Sequence, residues 1–131
     1  MTSLSWLQDI EDYLIAQGVA TSSNIGREFI PPTPDVFMCL HSYAGRPPSW
    51  THDGKLIEMP GLQIEIRDQD SDHAMQWINQ AEAALLQVTN VLMDGTFYQS
   101  VRPLQAAFSE GWDNTKCFWL KQNFSVSRSK Y

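Results

Sequence analysis

The sequence predicts an α+β fold: one domain over residues 1–131, with a mostly antiparallel, four- to five-stranded sheet covered on one face by two helices, plus a projecting β-hairpin. Three observations carry this expectation. Pro60–Asp68 reads Pro-Gly-Leu-Gln-Ile-Glu-Ile-Arg-Asp, so Leu62, Ile64 and Ile66 alternate with Gln63, Glu65 and Arg67 and fall on one face of a strand. Directly after it, Asp68-Gln69-Asp70-Ser71-Asp72 supplies acidic and capping residues, and Ala74, Trp77, Ile78, Ala81, Leu85 and Val88 recur at helical spacing. The remaining apolar segments are mostly short, strand-like and separated by turn residues, and nothing repeats along the chain.

The elements follow in order. A first helix is expected over 3–17, with Ser3 as cap, Leu4, Leu7, Ile10 and Leu14 as its apolar stripe and Gly18 as its stop. Ile25–Ile30 is a short strand ended by Pro31-Pro32. The strand over 36–43 has apolar residues on both faces, with Val36, Met38 and Leu40 set against Phe37 and Cys39, as in the middle of a sheet. The hairpin over 49–58 turns on Asp53-Gly54, a pair suited to a tight two-residue turn. A strand over 61–67, a helix over 71–88 and strands over 96–102 and 117–128 complete the order. Ser109–Lys116 reads as a turn-rich loop, and in the last strand Phe118, Leu120, Phe124 and Val126 face inward.

Composition narrows the function classes. A chain of 131 residues, 43% hydrophobic, can bury a core without metals or bridges, and Cys39 and Cys117 read as buried free thiols. No signal peptide opens the sequence, and no run of about 18 apolar residues is present to span a membrane. The net charge of −6 argues against a protein that grips nucleic acid by its phosphates. Residues 1–72 hold eleven acids against four Lys and Arg, whereas 73–131 hold four against five.

Chemistry-bearing patterns are incomplete. Cys39 and His41 share a strand face, but neither an orienting acid nor an oxyanion loop adjoins them in sequence. His52 with Asp53 has no second half of a metal site, and His73 stands beside Asp72 at a helix start. Asp68, Asp70 and Asp72 lack the glycine and the glutamate of a calcium loop, because His73 and Asn79 occupy those positions. No catalytic, cofactor-binding or metal site is expected, and the chain is read as not an enzyme. Loop and outer-face tryptophans point instead to contacts with other proteins. Arg46, Trp50, Trp112 and Trp119 form the expected contact surface, with His52, Asp53 and Lys55 at the hairpin turn. Lys121, Arg128 and Lys130 are expected to meet the acidic half of a neighbouring copy from an exposed basic tail.

Pro60, Gly61 and Gln63 before the long helix, Gln105 after it, and the closing Asn123, Phe124 and Val126 resemble the minor capsid or tail-terminator proteins of tailed bacteriophages. The likeness covers the whole chain in element order; Ala44–Met59 departs from it by its length and its aromatics and prolines. It implies a structural protein of the virion, present in the host cytoplasm before assembly. Such a protein caps the tail tube as a ring of about six copies, subunits of this size closing by head-to-tail contacts. Its partners would be further copies of itself, the major tail tube protein and a neck or stopper protein. Genomic DNA would pass through the bore without specific binding, and no membrane is involved. A neck adaptor or stopper, or a small ligand-binding α+β domain, are the alternative readings.

Overall fold

Leu62, Ile64 and Ile66 are fully buried at the centre of a seven-stranded sheet, under the apolar stripes of two helices. The computed structural model describes the backbone of residues 5–130, so the expected Ser3 cap lies outside the described residues. The elements are α1 (Ser5–Ala16), β1 (Ile25–Arg27), β2 (Phe37–Trp50) and β3 (Leu56–Asp68), then α2 (Ser71–Leu86), β4 (Thr89–Met93), β5 (Thr96–Pro103), β6 (Phe108–Trp112) and β7 (Phe118–Lys130). The strands lie in the order β1-β2-β3-β7-β5-β4. β6 and β5 share the far side of β7: β6 lies against Phe118–Lys121 and β5 against Phe124–Ser129. Every pairing is antiparallel except β1 with β2.

The class is as expected, but the sheet is larger than four or five strands. β4 and β6 went unread because each is five residues long and has no clean alternation of burial. Pro47 and Pro48 suggested a break after Tyr43, yet β2 continues through them to Trp50. It can do so because β1 stops at Arg27, opposite Leu40, so the later residues of β2 form an open sheet edge. Pro47 and Pro48 fall at a bulge between the partnered Arg46 and Ser49, where the ladder is already interrupted and a missing N–H loses little. The register with β3 shifts twice, at Tyr43–Arg46 and Arg46–Ser49.

The hairpin expected at 49–58 is therefore the end of the long β2–β3 hairpin. β7 runs beside β3 as far as Leu56 opposite Lys130, leaving only the turn beyond the sheet. That turn is a three-residue loop, in which the Thr51 N–H donates to Lys55 O at 2.8 Å and Gly54 N–H to Thr51 O at 3.0 Å. Of the expected Asp53-Gly54 pair, Gly54 alone takes a positive φ, of 85°.

The helices form where their caps and stripes place them. Asp70, extended at φ −124° and ψ 115°, accepts the N–H groups of Asp72 and His73 at the start of α2. Ala74, Trp77, Ile78, Ala81 and Leu85 then face the sheet. Gly18, at φ 77°, follows α1 and hands the chain on through Val19 N–H to Leu14 O at 3.0 Å. Trp6 is buried in the core, and the Trp77 indole N–H donates to Val19 O at 2.7 Å.

Candidate functional site

The expected contact residues divide into an exposed set and a set already partnered within the domain. β2 from Ala44 to Trp50 is exposed at seven consecutive residues, the longest such stretch in any described strand. It carries Arg46 and Trp50, the latter 70% exposed. The turn beyond carries His52, Asp53 and Lys55, also exposed, and the Thr51 hydroxyl bonded to Asp53 holds that carboxyl below its ordinary value. Among the described residues, Arg46 makes no ion pair. Trp112 is exposed on β6, its ring packed at 5.2 Å against Phe118.

Trp119 and Lys121 are half-buried and Arg128 buried, and each has a partner within the chain. The Trp119 indole N–H donates to Asp113 at 2.8 Å, and the Arg67 guanidinium lies 5.8 Å from its ring centre. Hydrogen bonds from Thr115 and Trp119 in turn hold the Asp113 carboxyl well below the usual carboxylate range. Lys121 pairs with Glu110 at 2.7 Å and with Glu65 at 3.5 Å. Arg128 is 4% exposed and donates twice to Glu58, at 3.1 and 2.8 Å. The expected exposed basic tail is thus the end of β7. Lys130 closes that strand opposite Leu56, and its side chain lies outside the described residues. The physical reason for the correction is register: antiparallel pairing sets Glu58 opposite Arg128 and Glu65 opposite Lys121, so the basic end meets the acidic half of its own chain.

Cross-strand register also builds a polar cluster on the sheet face away from the helices. His41 Nε2 lies 2.9 Å from Glu65 Oε1, and Gln63 donates to Asn123 at 2.9 Å. The Cys39 sulfur and the Glu65 carboxylate push His41 up to about 10. Burial opposes ionisation of Glu65, but the His41 bond and the Lys121 charge outweigh it and hold its carboxyl below the usual value. An acid therefore does stand beside Cys39 and His41, a partner that sequence spacing could not reveal. Cys39 is nevertheless fully buried, its thiol facing Phe29 O at 3.5 Å.

One surface was missed altogether. Residues 73–93 contain a single Asp, Glu, Lys or Arg, namely Glu82, and the Gln122 amide donates to it at 2.7 Å. Beyond Asp72 in the first turn, the rest of α2 and the adjoining β4 carry Glu82 as their one Asp, Glu, Lys or Arg, with Met75, Leu86 and Leu92 exposed. The signal was in the sequence as a gap in charge, in a chain that is 18% charged. Among the described residues, no helix is long and apolar enough to cross a membrane, and no three His, Cys, Asp or Glu side chains are grouped to hold a metal.

The fold has relatives among solved structures. The chain superposes on one from the virion of a native gene transfer agent particle with a TM-score of 0.65 and 11% identity, covering 92% of each chain. A second solved chain, which carries no functional description, matches with a TM-score of 0.58 and 15% identity over 100% of this chain and 98% of its own. No family model matches the sequence, and no curated protein does. At these identities the likeness establishes a shared fold.

Proposed function

We propose that this chain is a structural virion protein acting as a tail terminator: copies assemble as a ring, six in number by the sequence resemblance, on the head-side end of a tail tube. The tube protein binds below and a neck or stopper protein above, while genomic DNA passes through the bore unbound. The observation that carries this reading is the end-to-end fold match, over 92% of both chains, with a component of a gene transfer agent virion. It agrees with the resemblance of the Pro60–Gln63 and Asn123–Val126 motifs. The open edge of β2, with its exposed Trp50, supplies a surface for a neighbouring chain.

The protein is proposed to have no catalytic role. Cys39, His41 and Glu65 are the residue types of a nucleophile, base and orienting acid, but a nucleophile must meet its substrate and Cys39 is fully buried.

Electron microscopy and mass spectrometric counting on purified particles test the proposal. The expected result is about six copies per particle at the junction of tube and neck, a closed ring of head-to-tail contacts. Absence from particles, or one copy per particle, overturns it. A ring seated on the portal and not on the tube would assign the neck-adaptor role instead.

A further inference from the structure

The sheet face turned away from the helices changes character along its length. Towards Asp68 it carries Glu65, Lys121 and Glu110, joined by ion pairs. In the rows from Tyr43 to Ile57 it holds no Asp, Glu or Lys. Register sets Tyr43, Gly61, Ser125 and Arg102 in one row across four strands, and Arg46 and Met59 in the next. Ile57, Ser129, Phe97 and Leu92 form the row after that. These residues alternate with the core residues Leu62, Val126, Val101 and Tyr98, so they point outward. A shallow cavity of about 150 Å³ opens there between Tyr43, Arg46, Gly61, Leu104 and Ser125. Arg46 and Arg102 are exposed, and among the described residues neither has an ion pair.

Protein interfaces concentrate this composition at their centres: aromatic, Met and Arg side chains, with acids and lysine depleted. A sheet face built for water would keep the polar alternation seen around Glu65. The surface that suits it is on the same chain. α1 and α2 together carry Asp9, Glu11, Asp12, Asp72 and Glu82 and no Lys or Arg, and Asp12 and Asp72 are exposed. Helices and unpaired arginines lie on opposite faces of one sheet, so the two signs of charge face opposite ways. Docking of the sheet face on its own image would instead gather four uncompensated arginines.

We infer that the acid-free end of the sheet face in one copy docks on the acidic helix layer of a second copy. Met59, Ile57, Phe97 and Leu92 supply apolar contact, while Arg46 and Arg102 select the surface that is accepted. A contact between two different faces is heterologous and repeats from copy to copy, as a closed ring requires. The inference rests on the ring reading for its biological setting.

Intermolecular paramagnetic relaxation tests it on the full-length protein. A nitroxide on Gln8→Cys sits on the exposed side of α1, and the buried Cys39 and Cys117 escape the label. Mixed with nitrogen-15 labelled wild type, it should broaden the amides of Ile57–Gly61, Phe97 and Ser125–Ser129 above all others. Arg46→Glu with Arg102→Glu in the observed copy should lower that broadening at least about twofold, the scale of exposed ion pairs. Asp12→Arg with Asp72→Arg in the nitroxide-bearing copy should lower it too, although that copy has lost net charge and with it general repulsion. Broadening that is absent, uniform or confined to another surface overturns the inference, as does a rise with the two Asp→Arg changes. In particles, neighbours that meet through other faces would reject this contact and keep the ring. The expected broadening from a protein absent from particles would keep the contact and reject the virion role.

Discussion

At the scale of single residues, the pairing that most changes expectation is Arg128 with Glu58. Exposed basic residues contribute little to stability. Arg128 is buried, however, so removing it takes two hydrogen bonds from a partly buried carboxylate and opens space in the core end of β7. Arg128→Ala should cost about 2–3 kcal/mol, at the low end for a broken buried pair because Glu58 keeps some contact with water. The melting temperature should drop by roughly 6–12 °C. Arg128→Glu should be worse, since it sets a second carboxylate against Glu58. A fall of under two degrees in thermal denaturation would show that the pair is held loosely. His41 supplies a pH-dependent counterpart. Its folded pKa, about 10, lies above the ordinary value of 6.5, so the pairing contributes fully below pH 6.5 and is lost as pH rises through about 10. Glu65 has the opposite sign: its contribution is present above 4.5 and fades as pH falls through the depressed value. The stability advantage of the wild type over Glu65→Gln should therefore be greatest between those limits and shrink from pH 7 to 10. In the variant, the His41 ring should titrate by NMR closer to its ordinary range.

At the scale of elements, the long β2–β3 hairpin depends on two close approaches. A Cβ on Gly61 would meet the Tyr43 ring at 2.6 Å, and one on Gly45 would meet Met59 O at 2.0 Å and Gly61 N at 2.7 Å. The neighbours differ in how far they can yield. The Tyr43 ring can swing away at the loss of its bond to Phe124 O, so Gly61→Ala should cost about 1–2 kcal/mol. Backbone atoms cannot move without parting the strands, so Gly45→Ala should cost about 3 kcal/mol or more, and the two melting temperatures should fall in that order. These approaches also mark where the sequence was legible. Alternation in Leu62–Arg67 and the 3.6-residue stripe of α2 were visible because one face of each is fully buried. β4, β6 and the outer half of β2 are edge or short strands with mixed exposure, so their assignment rests on pairing partners distant in the chain. The His41–Glu65 contact joins residues 24 apart in sequence and depends on register in the same way.

At the scale of the whole molecule, part of the uneven charge of the two halves is met within one chain. Lys121 and Arg128, two of the five bases in residues 73–131, pair with Glu65 and Glu58 of the acidic half. What one copy shows another is then a net charge of −6, with few charged residues along 73–93. Exposed ion pairs between copies are worth little, while repulsion acts between whole molecules, so repulsion dominates at low ionic strength. Salt should therefore strengthen association of the free protein. Raising sodium chloride from about 0.05 to about 0.5 M shortens the screening length from roughly 14 to 4 Å, which removes the long-range repulsion and leaves apolar contact intact. Sedimentation velocity should show a monomer at low salt and a growing oligomer fraction at high salt. Trp50→Asp should abolish that growth without altering the monomer's melting temperature by more than a degree or two, because Trp50 is 70% exposed. Association that weakens with salt would mean that ion pairs, and not the uncharged surfaces, hold the copies together.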